Sequence, residues 1–166
     1  MAIVRLFLGI CLMRQGPQDI PYSIFLFYLS FFFYLVFGIT VLTVQAENIS
    51  LFIQMTVQVL SLFAFVWVCL VLYRRESRFM QTMTAVLGTD ALITCIALPL
   101  LFWIKVDPNM QVLYMCLVVL MLWQLIVMGH ILRRALDNSF FFGAGLAFLF
   151  LFLSFQIMDA LAPSTV

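Results

Sequence analysis

Apolar positions in this chain do not recur with the period of an amphipathic helix or strand; they run on without interruption. Five such runs read at once: about Tyr22–Val44, Ser50–Tyr73, Phe79–Trp103, Gln111–Leu132 and Phe140–Leu161. A helix needs ~20 predominantly apolar residues to cross the hydrocarbon core of a bilayer, and each run meets that length. A helix that is apolar all round has to be buried in protein or in lipid. The connections Gln45–Ile49, Arg74–Arg78, Ile104–Met110 and Arg133–Ser139 are too short to hold a soluble domain. The pattern therefore predicts an all-α polytopic membrane protein, one membrane domain over residues 1–166, with five transmembrane helices.

The start of the chain reads differently. Ile3–Met13 is apolar but too short to span, with Arg5 inside it and Arg14 after it. It has the outline of a signal peptide, yet no small-x-small cleavage site follows. Ile10 is too large for the residue before a lipid-modified Cys11. We read residues 2–14 as a short N-terminal interfacial helix with Arg5 and Arg14 at the headgroups, ended by Gly16-Pro17.

Charge then orients the spans. Arg5, Arg14, Arg74, Arg75, Arg78, Arg133 and Arg134 all fall on one side, and only Lys105, beside Asp107, falls on the other. Lysine and arginine concentrate in cytoplasmic connections, which places the N-terminus in the cytosol and the tail Ala162–Val166 outside, across the inner (plasma) membrane of a cell. The basic turns also suit anionic lipid headgroups. Val71-Leu72-Tyr73-Arg74-Arg75 and Ile131-Leu132-Arg133-Arg134 echo one another as a duplicated hairpin would, although any arginine-rich turn after a span has this look.

Composition narrows the function classes. Of 166 residues, 66% are hydrophobic and 9% charged, and the mean hydropathy is +1.21, far from the ~25% charged residues of soluble domains. With a net charge of +1 no field attracts a polyanion, so nucleic acid is excluded as a partner. The partners expected are membrane lipids and another membrane protein or a second copy. Cys11, Cys69, Cys95 and Cys116 stand singly with no CxxC among them, which argues against a disulfide framework.

Polarity is expensive inside a membrane, so polar residues there are the candidates for function. Asp90 lies about eleven residues into the third span, ~16 Å from its basic end and close to the middle of a ~30 Å core. Gln81, Thr82, Thr84, Gly88, Thr89 and Thr94 surround it in sequence, and Asp90 and Thr94 share a helix face at i,i+4. Gly88 can admit a close helix neighbour, and Pro99 loosens the far end of the span. At comparable depth stand Gln124 in the fourth span and Gln58 in the second, the latter in a stripe with Gln54 and Ser61. Asp90, Thr89, Thr94, Gln58 and Gln124 form the candidate intramembrane cluster. It is open to two roles: hydrogen-bonding glue between helices, or a place that binds or moves something. His130, in line with Trp123 one heptad back, reads as an interfacial residue near headgroups or Arg133. Asp159 and Gln156 read as solvated near the outer end of the fifth span.

Catalytic constellations are missing. The sequence has no HExxH, GxSxG, P-loop or dinucleotide fingerprint, and its single histidine cannot supply paired imidazole ligands. Its seven acids are too scattered to hold a metal. No catalytic residue, cofactor or metal site is expected, and the chain does not read as an enzyme.

One stretch resembles a known family. Arg78-Phe79-Met80-Gln81-Thr82-Met83-Thr84-Ala85-Val86-Leu87-Gly88-Thr89-Asp90-Ala91-Leu92 is similar to the start of the third span in the Yip-domain family, where a basic or polar loop leads into a Phe-x-Gln-Thr-type helix start followed by small and hydroxyl residues. The order of an apolar N-terminal segment, a Pro-containing linker (Gly16–Pro21) and five spans is similar too, most of all to the short bacterial members. The resemblance covers about 140 residues in layout but only Arg78–Leu92 in motif. It implies a membrane adaptor. Eukaryotic members bind prenylated Rab-type GTPases in Golgi traffic, through a cytosolic arm that this sequence lacks. The expected function is thus a non-enzymatic adaptor or accessory subunit of a membrane complex. The alternative is an oligomeric transporter or channel subunit with Asp90 as its proton or cation site.

Overall fold

The computed structural model describes residues 2–45 and 51–161. They form six α-helices: α1 (Ala2–Cys11), α2 (Ile24–Gln45), α3 (Leu51–Leu72), α4 (Phe79–Val106), α5 (Gln111–Leu136) and α6 (Phe140–Leu161). Single 3-10 turns occupy Pro17–Asp19 and Glu76–Arg78, and no strand occurs among the described residues. Helices α2 to α6 are each long and apolar enough to cross a bilayer, so the chain is a multi-pass membrane protein.

Local chemistry sets the ends. Ser23 and Ser139 precede α2 and α6, and their hydroxyls accept the backbone N–H groups of Leu26 (3.4 Å) and Phe142 (3.3 Å). Helices α4 and α5 run past the expected ends at Trp103 and Leu132, to Val106 and Leu136. The added turns hold Lys105 and the Arg133–Arg134 pair, cations that favour the negative end of a helix dipole. These two arginines therefore belong to α5 and not to a connection, whereas Arg74 and Arg75 lie beyond the end of α3. The echo between the two segments thus stops at the sequence.

Helices α1, α3 and α5 end alike, each with one residue in the left-handed region: Met13, Arg74 and Asp137 (φ 58°, 53° and 51°). The next N–H reaches back five residues in each case, Arg14 to Gly9, Arg75 to Leu70 and Asn138 to Arg133. This closure satisfies carbonyls that would otherwise be orphaned.

Neighbouring spans close a ring in the order α2, α4, α5, α6, α3, and α1 packs outside it against α4 and α5. The ring is tight toward the arginine-bearing end and looser toward the other. Residues Thr82–Thr89 of α4 are buried without a break, because α1, α2, α3 and α5 all touch this helix. The buried hydroxyls of Thr82, Thr84 and Thr89 donate to the carbonyls of Arg78, just before α4, and of Met80 and Ala85 within it (2.9, 2.7 and 2.8 Å). Where α5 crosses α6, Gly129 faces Gly143 and Ala144 backbone to backbone. Such small residues let membrane helices approach closely. Beyond these crossings the packing thins: α5 buries no residue from Gln111 to Ile126, and α6 none of its described residues after Ala147.

The short N-terminal helix expected over residues 2–14 is present, and its apolar face packs on the bundle. Helix α1 stops at Cys11, and Phe7, Ile10 and Cys11 are buried in the bundle. Phe7 fills the space left by the missing side chain of Gly88, nine residues into α4 and so about 13 Å along it. Arg5 and Arg14 remain exposed. Three side chains then fasten the following segment by donating to its carbonyls. Trp123 Nε1 bonds Cys11 (3.0 Å), His130 Nε2 bonds Gln15 (3.0 Å) and Gln81 Nε2 bonds Ile20 (2.9 Å). His130 is therefore a buried core residue and not a headgroup contact, and its partner is a backbone oxygen. The one-heptad alignment of Trp123 with His130 matches this shared task.

Candidate functional site

Where the ring loosens it surrounds a partly open cavity of about 320 Å³ to which all five spans contribute. Each of the five cluster residues singled out in the sequence lines it: Gln58 from α3, Thr89, Asp90 and Thr94 from α4, and Gln124 from α5. Gln124 Nε2 donates to Asp90 Oδ1 and joins α5 to α4 across its floor. Such a bond is expected of polar groups held in a membrane interior.

Much of the remaining polar capacity is unused. Gln15 Oε1 and Ser154 Oγ are the only fully enclosed side-chain polar atoms without a partner among the described residues, and neither belongs to this cavity. The second carboxyl oxygen of Asp90, the Gln58 amide and the Thr94 hydroxyl have no protein partner among the described residues, and so they face the cavity space. Tyr34 of α2 lines the same space; its side chain is otherwise buried, at 6% exposure. The lining holds one acid and no base. A concave, mostly apolar site of this size with a few convergent polar groups is typical of small-ligand pockets.

The structure keeps other candidates apart. Gln54 does not line the cavity, and Ser61 turns its hydroxyl to the Gln58 carbonyl (2.9 Å). Asp159 and Gln156 are exposed near the end of α6. Trp123 and His130 serve the N-terminal segment instead.

The basic turns assemble separately. Arg75 Nη1 lies 2.5 Å and Arg78 Nη1 3.1 Å from Asp137 Oδ2, which ties the α3–α4 turn to the α5–α6 turn. Arg78 also donates to the carbonyls of Arg134 (3.4 Å) and Ala135 (3.2 Å) in the last turn of α5. Arg133 stacks over Phe140, 5.7 Å from the ring centre, and Arg74 and Arg134 are exposed.

Sequence reading missed Tyr34, Gly38 and Met55 as cavity residues. Nothing separates one Tyr or Met from the others in so apolar a chain. The position of Gly38 opposite Met55 emerges only once α2 and α3 are placed.

Among the described residues no three of His, Cys, Asp and Glu come together as a metal site would require. Comparison of the chain with family models, with curated proteins and with solved structures finds no match, so its likeness over Arg78–Leu92 rests on those residues alone.

Proposed function

We propose that this is a non-enzymatic protein of the inner membrane, with its N-terminus and arginine turns in the cytosol, that holds a proton or a small cationic solute at Asp90. One observation carries this reading. Polar groups from α2, α3, α4 and α5 converge on a single cavity, and several of them lack protein partners among the described residues. A bond serving only as glue would need Gln124 and Asp90 and no more. An intramembrane carboxyl facing a cavity, with no base beside it, selects for positive charge or hydrogen-bond donors. The test is charge displacement in proteoliposomes of the full chain after a pH jump or a methylammonium jump. Wild type gives a current, and Asp90→Asn, which keeps a partner for Gln124, removes it while eluting as wild type in size-exclusion chromatography. Equal currents from the two proteins, or none from wild type, would refute the proposal.

A second reading, the adaptor implied by the Yip-like resemblance, draws on a different feature. The outer part of α5, Gln111–Ile126, has no buried residue, and its face bearing Val118 and Leu122 is exposed. An adaptor would cover it with a transmembrane helix of another protein. Gentle-detergent purification would then retain a stoichiometric membrane partner that crosslinks to Val118 or Leu122.

A further inference from the structure

The central cavity is not sealed from the lipid side by backbone. Between α2 and α3 lies a groove of about 470 Å³, lined by apolar side chains such as Leu35, Ile39, Phe52 and Val59, with Thr56 its only polar residue. Met55 lines both the groove and the cavity. Its thioether rests on Gly38, so closely that a methyl group added there would lie 2.7 Å from Met55 Cε. Methionine is unbranched and changes rotamer easily, and any side chain larger than glycine at position 38 would collide with it. A second crevice, between α3 and α6, meets the cavity at Phe150. That junction is closed by a ring pair, Phe65 and Phe150, with centroids 5.1 Å apart. Of these two flanking spaces, the α2–α3 groove meets the cavity at one flexible side chain, Met55, and the α3–α6 crevice meets it at a packed ring pair.

We infer that the ligand of the Asp90 site is a membrane-dissolved single-chain alkylammonium, which enters sideways between α2 and α3 past Met55 and leaves its chain in the groove. This inference rests on the reading of Asp90 as a cation site and adds to it the ligand's tail and its route. The two spaces match the two halves of such a molecule. The cavity supplies a carboxyl and neutral acceptors for the three N–H donors of a primary ammonium. The groove is almost wholly apolar and holds no charge, and from Phe31 to Ile39 it follows about 12 Å of α2, along which an alkyl chain can lie. A carboxylate or phosphate head would find no cation in this lining to neutralise it.

The experiment uses the full chain in phosphatidylcholine nanodiscs and dodecylammonium carrying a diazirine at its chain terminus, with labelled residues mapped by mass spectrometry. Saturable labelling is expected on the groove faces of α2 and α3, displaced by dodecylammonium but not by equimolar dodecanoate or methylammonium. Asp90→Asn lowers it about tenfold, as loss of one close charge pair does. Met55→Trp fills the junction and lowers it similarly. Should that core variant fail to fold, Ile39→Trp blocks the groove from its lipid-exposed wall with the same result. If methylammonium competes equally and both tryptophan variants bind as wild type, the cation site stands and the sideways route is wrong. Displacement by dodecanoate, or full labelling of Asp90→Asn, would overturn the route and the cation site together.

Discussion

The crossing of α5 and α6 permits a comparison in which most confounding effects cancel. Gly143 and Gly145 both lie inside α6, two residues apart. A Cβ at Gly143 would run into the Gly129 carbonyl and would sit 2.9 Å from both the backbone nitrogen and Cβ of Arg133. A Cβ at Gly145 would meet nothing within 4 Å. Replacing either by alanine gains the same helix propensity, about 1 kcal/mol. The difference between Gly143→Ala and Gly145→Ala therefore isolates the steric term. Overpacking costs about 1–3 kcal/mol, and the upper part of that range applies because the obstructing atoms include backbone that cannot rotate away. Unfolding of the purified variants by SDS titration in mixed micelles reads the difference directly. Gly145→Ala is expected at or above wild-type stability, with Gly143→Ala below it by about 2–3 kcal/mol. Equal stabilities would show that the two helices do not cross this closely. The shape of the cavity would then need another cause, since this crossing pins α5 and α6 together below it.

Other substitutions probe separate parts of the bundle. Asp90→Leu strands the Gln124 amide and lowers stability by ~0.6 to 1.7 kcal/mol in the same titration, whereas Asp90→Asn keeps the bond and stays near wild type. Arg75→Ala removes one surface ion pair and costs less than ~1 kcal/mol, and Arg78→Ala costs more because it also frees two carbonyls at the end of α5. Burial pushes the Cys11 thiol from 9.0 up to about 11. Since only the thiolate reacts, its alkylation at pH 8, followed in a variant lacking the other cysteines, is slower than that of a free thiol by roughly a hundredfold, and it climbs with pH until about pH 11. Trp123→Phe deletes the bond to the Cys11 carbonyl, and faster alkylation of Cys11 would report the loosening of α1; an unchanged rate would mean that the buried Phe7 and Ile10 and the His130 bond suffice to hold it.

The five spans were legible because a bilayer demands unbroken apolar runs of fixed length, a constraint that leaves little latitude in where Tyr22–Val44 or Phe140–Leu161 can lie. The polar cluster was legible for the same reason: Asp90, Gln58 and Gln124 stand out where polarity is costly, and cost is independent of how the helices pack. What depends on packing was not legible. Tyr34 and Met55 are chemically at home anywhere in lipid, so their place at the cavity emerges only from the order of helices around the ring. His130 looked interfacial because its neighbours are Arg133 and Arg134, yet a carbonyl more than a hundred residues away in sequence buries it. The docking of α1 depends on Gly88, whose absent side chain admits Phe7, and no local pattern marks which element will fill such a gap.

That docking also sets an order of events during synthesis. Trp123 grips a carbonyl 112 residues earlier in the chain, and His130 one 115 residues earlier. A ribosome adding roughly 5–20 residues per second needs on the order of 6–23 s to cover that interval. Throughout it, the α4–α5 surface that buries Phe7, Ile10 and Cys11 is incomplete. Helix α1 thus emerges well before α5, which completes its seat, and any factor that shields its apolar face acts within that window.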